Sequence, residues 1–167
     1  GGPRHRCQGV NEGTVMSVHA FVFPGQGSQS IGMGQGLYEA FPAAREVFQE
    51  VDDALGEHLS KLIFTGEAAD LTRTENTQPA LMAVSMATVR VLESEGGFRL
   101  ADKATVVAGH SLGEYSALAA AGALGIAQTA KLLRLRGLAM QEAVPAGEGG
   151  MAALLGVEAE LAQEICA

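Results

Sequence analysis

A chain of 167 residues is long enough for one domain with a buried core. Apolar residues make up 47% of it and charged residues 18%, with no charge block or low-complexity tract, which excludes disorder and a coiled coil. A formal net charge of −8 argues against a nucleic-acid partner, which would need clustered Lys and Arg, and no apolar run is long enough to span a bilayer.

Residues 1–16 read as a leader without fixed structure: the chain opens on Gly1, Met16 sits just before the first strand-like run, and no apolar secretory segment follows Arg4, His5 and Arg6. Two cysteines, Cys7 and Cys166, form neither a disulfide framework nor a metal-ligand spacing, and they predict a cytoplasmic protein without a metal. Val18–Phe23 is apolar and ends at Pro24-Gly25, as a buried strand entering a tight loop does. Pro42 opens an amphipathic helix to Leu55. A second helix is predicted from Asn76 or Thr77 as cap, with Pro79 in its first turn, to Gly96.

Ala104–Ala108 is a short β-branched run ending at Gly109, and the Ala- and Leu-rich stretch from Glu114 to Ala121 predicts a helix directly after it. Another helix follows from about Ile126 to Ala143, then a Pro- and Gly-rich hinge, a strand at Met151–Leu155 and a helix entered near Leu161. This alternation predicts an α/β fold with parallel strands, a core over residues 17–146 and the start of a smaller unit over 147–167.

Gly109-His110-Ser111-Leu112-Gly113 fits the G-x-S-x-G elbow, in which small residues let a strand turn sharply into a helix and expose the serine hydroxyl. The bland alternative is a Gly-flanked turn with a surface serine. In an elbow the serine stands at a helix N-terminus, so the Leu112 N–H becomes a donor to a developing oxyanion. A second donor must come from another loop, and Pro24-Gly25-Gln26-Gly27-Ser28-Gln29 leaves a strand that can lie beside the first. A dinucleotide cradle fails on spacing, because Ser30 stands where the third glycine of G-x-G-x-x-G belongs.

Phe23-Pro24-Gly25-Gln26-Gly27-Ser28-Gln29, Thr77-Gln78-Pro79-Ala80-Leu81, Gly109 through Leu118 and Arg136 through Gln141 together resemble the ordered signature segments of malonyl-CoA:acyl carrier protein transacylases. The resemblance implies an α/β-hydrolase-like main domain followed by the first strand and helix of a ferredoxin-like subdomain. It implies Ser111 as the nucleophile, Gln26 and Leu112 as oxyanion-hole donors, Arg136 as the clamp on the malonyl carboxylate, and Gln78 near the pocket. The substrate would be malonyl-CoA, the partner acyl carrier protein, with no bound cofactor, in fatty acid biosynthesis. Polyketide-type acyltransferases, a serine esterase and an inactive fragment are the rival readings.

Spacing alone does not choose Arg136. Ile126, Ala130, Leu133, Gly137 and Met140 form the apolar stripe of their helix, and Arg134 and Arg136 flank it on opposite sides. Lys131, Arg134 and Arg136 fit a basic edge toward an acidic partner and an ordinary surface helix equally well. Serine needs a base, and none of His5, His19, His58 and His110 suits: His110 adjoins Ser111, where successive side chains diverge and an elbow-supporting role is expected. In the resembled family the base is a histidine far beyond the serine. The chain ends 56 residues after Ser111, so the resemblance predicts a truncated protein lacking that histidine.

Overall fold

The apolar run before Pro24 forms strand β1, His19–Phe23, and the β-branched run before Ser111 forms β2, Ala104–Gly109. The two pair in parallel, with Phe21 opposite Val107 and Phe23 opposite Gly109, so that both strands end at the same edge of the sheet. The computed structural model describes residues 19–144, 148 and 154–166. The leader and Met151–Ala153 of the expected third strand lie outside the described residues, while Leu154 and Leu155 belong to no strand.

Helices fill the long crossover between the strands. They are α1 (Gln35–Ala40), α2 (Pro42–Leu55), α3 (Leu59–Thr65), α4 (Ala68–Thr72), α5 (Thr74–Gly96) and α6 (Leu100–Lys103). After β2 come α7 (Gly113–Ala120), α8 (Ile126–Ala143) and α9 (Ala159–Cys166). Helix α2 has Pro42 in its first turn and stops at Gly56, whose left-handed φ of 68° lets its N–H return to Asp52 O.

Helix α5 begins earlier than its sequence suggests. Asn76 and Thr77 are inside it and do not cap it: Asn76 Nδ2 donates to Asp70 O at 2.8 Å and Thr77 Oγ1 to Leu71 O at 2.5 Å, tying α5 to α4. Pro79 accordingly lies in the second turn, where it cannot supply an N–H to the carbonyl of Glu75.

The core lies between α2, α5 and α8, where Phe48, Val51, Ile63, Met82, Met86 and Leu133 are buried, with Tyr38, Phe48 and Phe64 stacked edge to face or tilted. Helices α5 and α8 approach closely at Gly137, where an added Cβ would sit 2.5 Å from Glu75 Cα. A smaller cluster of Phe23, Val89, Leu100 and Ala117 joins the sheet to α5 and α7. The expectation of buried strands holds for one face only. Phe21, Phe23 and Val107 turn toward the helices, whereas Val22 is 74% and Val106 54% exposed, because no layer among the described residues covers the other face.

Candidate active site

The corner between β2 and α7 is built by backbone contact. Ser111 has φ +56°, the only left-handed non-glycine residue among the described ones, a conformation that costs about 1–2 kcal/mol. His110 N donates to Phe23 O, Gly113 N to His110 O and Glu114 N to Ser111 O, so the turn is bonded at once to β1 and to its own helix. Both flanking glycines are required by space: a Cβ on Gly109 would fall 2.0 Å from the Gly113 carbonyl carbon, and one on Gly113 would fall 2.4 Å from Phe23 O. Strain at the serine is therefore imposed by a tightly packed frame, as an elbow needs.

The glycine loop after β1 lies against this corner. A Cβ on Gly25 would meet His110 Nδ1 at 2.4 Å and His110 O at 2.8 Å, so the His110 imidazole rests on the loop and supports the elbow. Gly27 N is spent on Gln29 Oε1 at 2.8 Å. Neither Gln26 N–H nor Leu112 N–H donates to an acceptor among the described residues, while the N–H groups from Gly113 to Ser116 all bond to earlier carbonyls.

Across the corner, α8 delivers Arg136. Its Nη2 donates to Ser111 Oγ at 3.0 Å and its Nη1 to Gln78 Oε1 at 2.7 Å. Gln78 is fully buried on α5, and its Nε2 points to Met140 Sδ at 3.3 Å, one turn beyond Arg136 on α8. The guanidinium carbon stands 5.8 Å from the centre of the Tyr115 ring, close enough for a cation–π contact. Ser111, Arg136 and Gln78 thus come together from three helices' ends and faces.

The two arginines that spacing left equal are separated by their partners. Arg134 Nη1 donates to Asn76 Oδ1 at 2.7 Å, and its other terminal nitrogen pairs with Glu57. Burial pushes its guanidinium below the ordinary arginine value. Arg134 is therefore occupied in joining α8 to α5, and Arg136 is the one at the serine.

Sequence reasoning assigned no role to Tyr115 or to the Met140 sulfur. The signal available was spacing: Met140 lies four residues, one helical turn, after Arg136, and Tyr115 falls in the first turn of the helix that follows Ser111. Of the other histidines, His58 stands 3.8 Å from Asp52 at the start of α3, and His19 is exposed at the start of β1. Among the described residues, Arg136 is the one side chain that hydrogen-bonds Ser111 Oγ, and no three potential metal ligands gather.

Residues 20–167 match the family model described as the acyl transferase domain. The chain belongs to the acyl transferase domain family. It is 52% identical over 150 residues to the malonyl CoA-acyl carrier protein transacylase of Bacillus subtilis, covering 90% of this chain and 46% of that one. To the transacylase of the same name from Escherichia coli K12 it is 47% identical over 143 residues, 86% of this chain and 45% of the relative. The chain spans about half the length of the curated relatives it matches.

Among solved structures, the crystal structure of acyl-carrier-protein-S-malonyltransferase from Bartonella henselae superposes with a TM-score of 0.85 at 61% identity, over 90% of this chain and 48% of that one. A type II PKS acyl-carrier protein in complex with its malonyl-transacylase gives 0.73 at 48% identity, over 78% of this chain and 41% of the other. Acyl transferase membership agrees with the α/β fold and its parallel strand pair.

Proposed function

We propose that this chain carries the nucleophile and the carboxylate clamp of a malonyl-CoA:acyl carrier protein transacylase of fatty acid biosynthesis, acting in the cytoplasm without a bound cofactor. One observation carries the reading: a guanidinium anchored on buried Gln78 stands 3.0 Å from the hydroxyl of a strained serine. An esterase needs no fixed cation beside its nucleophile, whereas an acyl group ending in a free carboxylate does. A planar guanidinium grips a carboxylate through two parallel hydrogen bonds.

In the proposed reaction Ser111 Oγ attacks the thioester carbonyl of malonyl-CoA. The C–O bond forms, the C–S bond breaks, and the proton of Oγ leaves through a base to the departing coenzyme A thiolate. In the second half-reaction the phosphopantetheine thiol of acyl carrier protein attacks the seryl ester: a new C–S bond forms, the C–Oγ bond breaks, and the thiol's own proton passes through the base to Oγ. The carbonyl oxygen carries negative charge in both tetrahedral intermediates, and we assign its stabilisation to the N–H groups of Gln26 and Leu112. Each such donor is worth about 3 kcal/mol of transition-state stabilisation. The base is proposed to be a histidine further along the polypeptide. The solved complex of a malonyl-transacylase with its acyl-carrier protein supports the same partner here.

The same reading assigns residues 17–146 to an α/β-hydrolase-like domain and 147–167 to the start of a ferredoxin-like subdomain. The test is intact-protein mass spectrometry of the full-length protein after incubation with malonyl-CoA. A malonyl adduct is expected on Ser111 and lost in Ser111→Ala. An adduct unaffected by that substitution, or none at all, rejects the assignment.

A further inference from the structure

Arg136 is held by two partners of unequal permanence. Its Nη1 bonds to Gln78 Oε1 in the protein interior, while its Nη2 reaches Ser111 Oγ at the exposed mouth of the corner. Gln78 is thus a pivot, the Tyr115 ring lies 5.8 Å from the guanidinium carbon, and Nη2 is the end that can swing. A hydroxyl oxygen has two lone pairs, and a cationic donor at 3.0 Å occupies one of them and withdraws density from the other. The same bond therefore makes Ser111 a weaker nucleophile.

We propose that Arg136 latches Ser111, and that the free carboxylate of an incoming acyl group releases the latch by drawing the guanidinium away from Oγ. This rests on the malonyl-transfer reading only for the identity of that carboxylate. An acyl group without one leaves Arg136 on the serine. Selectivity then acts on the reactivity of the nucleophile as well as on the fit of the acyl chain. Gln78 keeps Nη1 in place throughout, so the released guanidinium remains within reach of the carboxylate that freed it.

The test needs no acyl substrate. Phenylmethanesulfonyl fluoride, an uncharged reagent, is used to sulfonylate Ser111 in the full-length protein, with formate or with chloride at equal ionic strength. If formate can take Arg136 from the serine, labelling accelerates about three- to tenfold, the net scale of losing one hydrogen bond at an exposed, salt-screened site, and chloride does nothing. Arg136→Ala should label at the accelerated rate without formate and ignore it when added.

Formate that slows labelling or leaves it unchanged overturns the latch, as does absence of labelling in every arm. The wild-type titration decides the matter if Arg136→Ala fails to fold. The same preparation is assayed for the malonyl adduct on Ser111. A missing adduct with an intact formate response rejects the transacylase reading and spares the latch, and the reverse pattern rejects the latch alone.

Discussion

Arg136 and Gln78 form a pair whose two halves make separate predictions. Removing the guanidinium in Arg136→Ala leaves nothing to reward a free carboxylate, and nothing to hold Ser111 back from acetyl. The malonyl preference over acetyl, measured as a ratio of kcat/KM, should fall by about a hundredfold. Gln78→Glu places a carboxylate where Oε1 now lies 2.7 Å from Nη1. That internal anion competes with the substrate's own, so KM for malonyl-CoA should rise by at least about tenfold, with less change in kcat. An unaltered KM would mean that the buried amide does not set the arginine's charge balance.

Which arginine does this work was not legible from α8 alone. A helical wheel records which face a residue occupies, and Arg134 and Arg136 both sit beside the stripe. What separates them is on α5, where Asn76 and Gln78 receive them as successive rungs, and then Ser111, which only the folded corner brings near.

The elements explain why the corner keeps its shape. Gly113 packs on the end of β1 and Gly137 packs on the start of α5, each with no room for a methyl group. Gly113→Ala should force the elbow off Phe23 O, lowering stability by about 1–3 kcal/mol in thermal or urea unfolding and removing malonyl loading with it. Gly137→Ala would push against backbone atoms of Glu75 and Thr74 and should cost a similar amount. Because Arg136 adjoins Gly137, it should also weaken the malonyl preference.

Helices α2 and α8 were readable to the residue, since Pro42, Gly56, Gly125 and the hinge after Ala143 punctuate them. The start of α5 was not, because Asn76 and Thr77 have the chemistry of caps but turn back to carbonyls of α4. Helices α1, α3, α4 and α6 have 6, 7, 5 and 4 residues, at most two turns, too short to show a period.

For the molecule as a whole, the alternation of apolar runs and periodic stretches was enough to give an α/β fold and a parallel strand pair. It did not show which side of the sheet would be covered. Parallel sheets in α/β proteins are normally buried on both faces. Here helices α5 and α7 cover Phe21, Phe23 and Val107, while Ala20, Val22, Val106 and Ala108 form an apolar face that none of the other described residues covers. Covering each valine is worth about 1.5 kcal/mol, so two copies of the polypeptide gain by laying these faces together. A polypeptide of these 167 residues should therefore sediment as a concentration-dependent mixture and bind an apolar dye. Val22→Thr with Val106→Thr keeps the β-branched shape and lowers the apolar area, so the double variant should shift toward monomer and lose dye signal. If the parent chain sediments as a monomer at every concentration, the open face is not sticky enough to matter; if the double variant associates as strongly as its parent, another surface drives the contact.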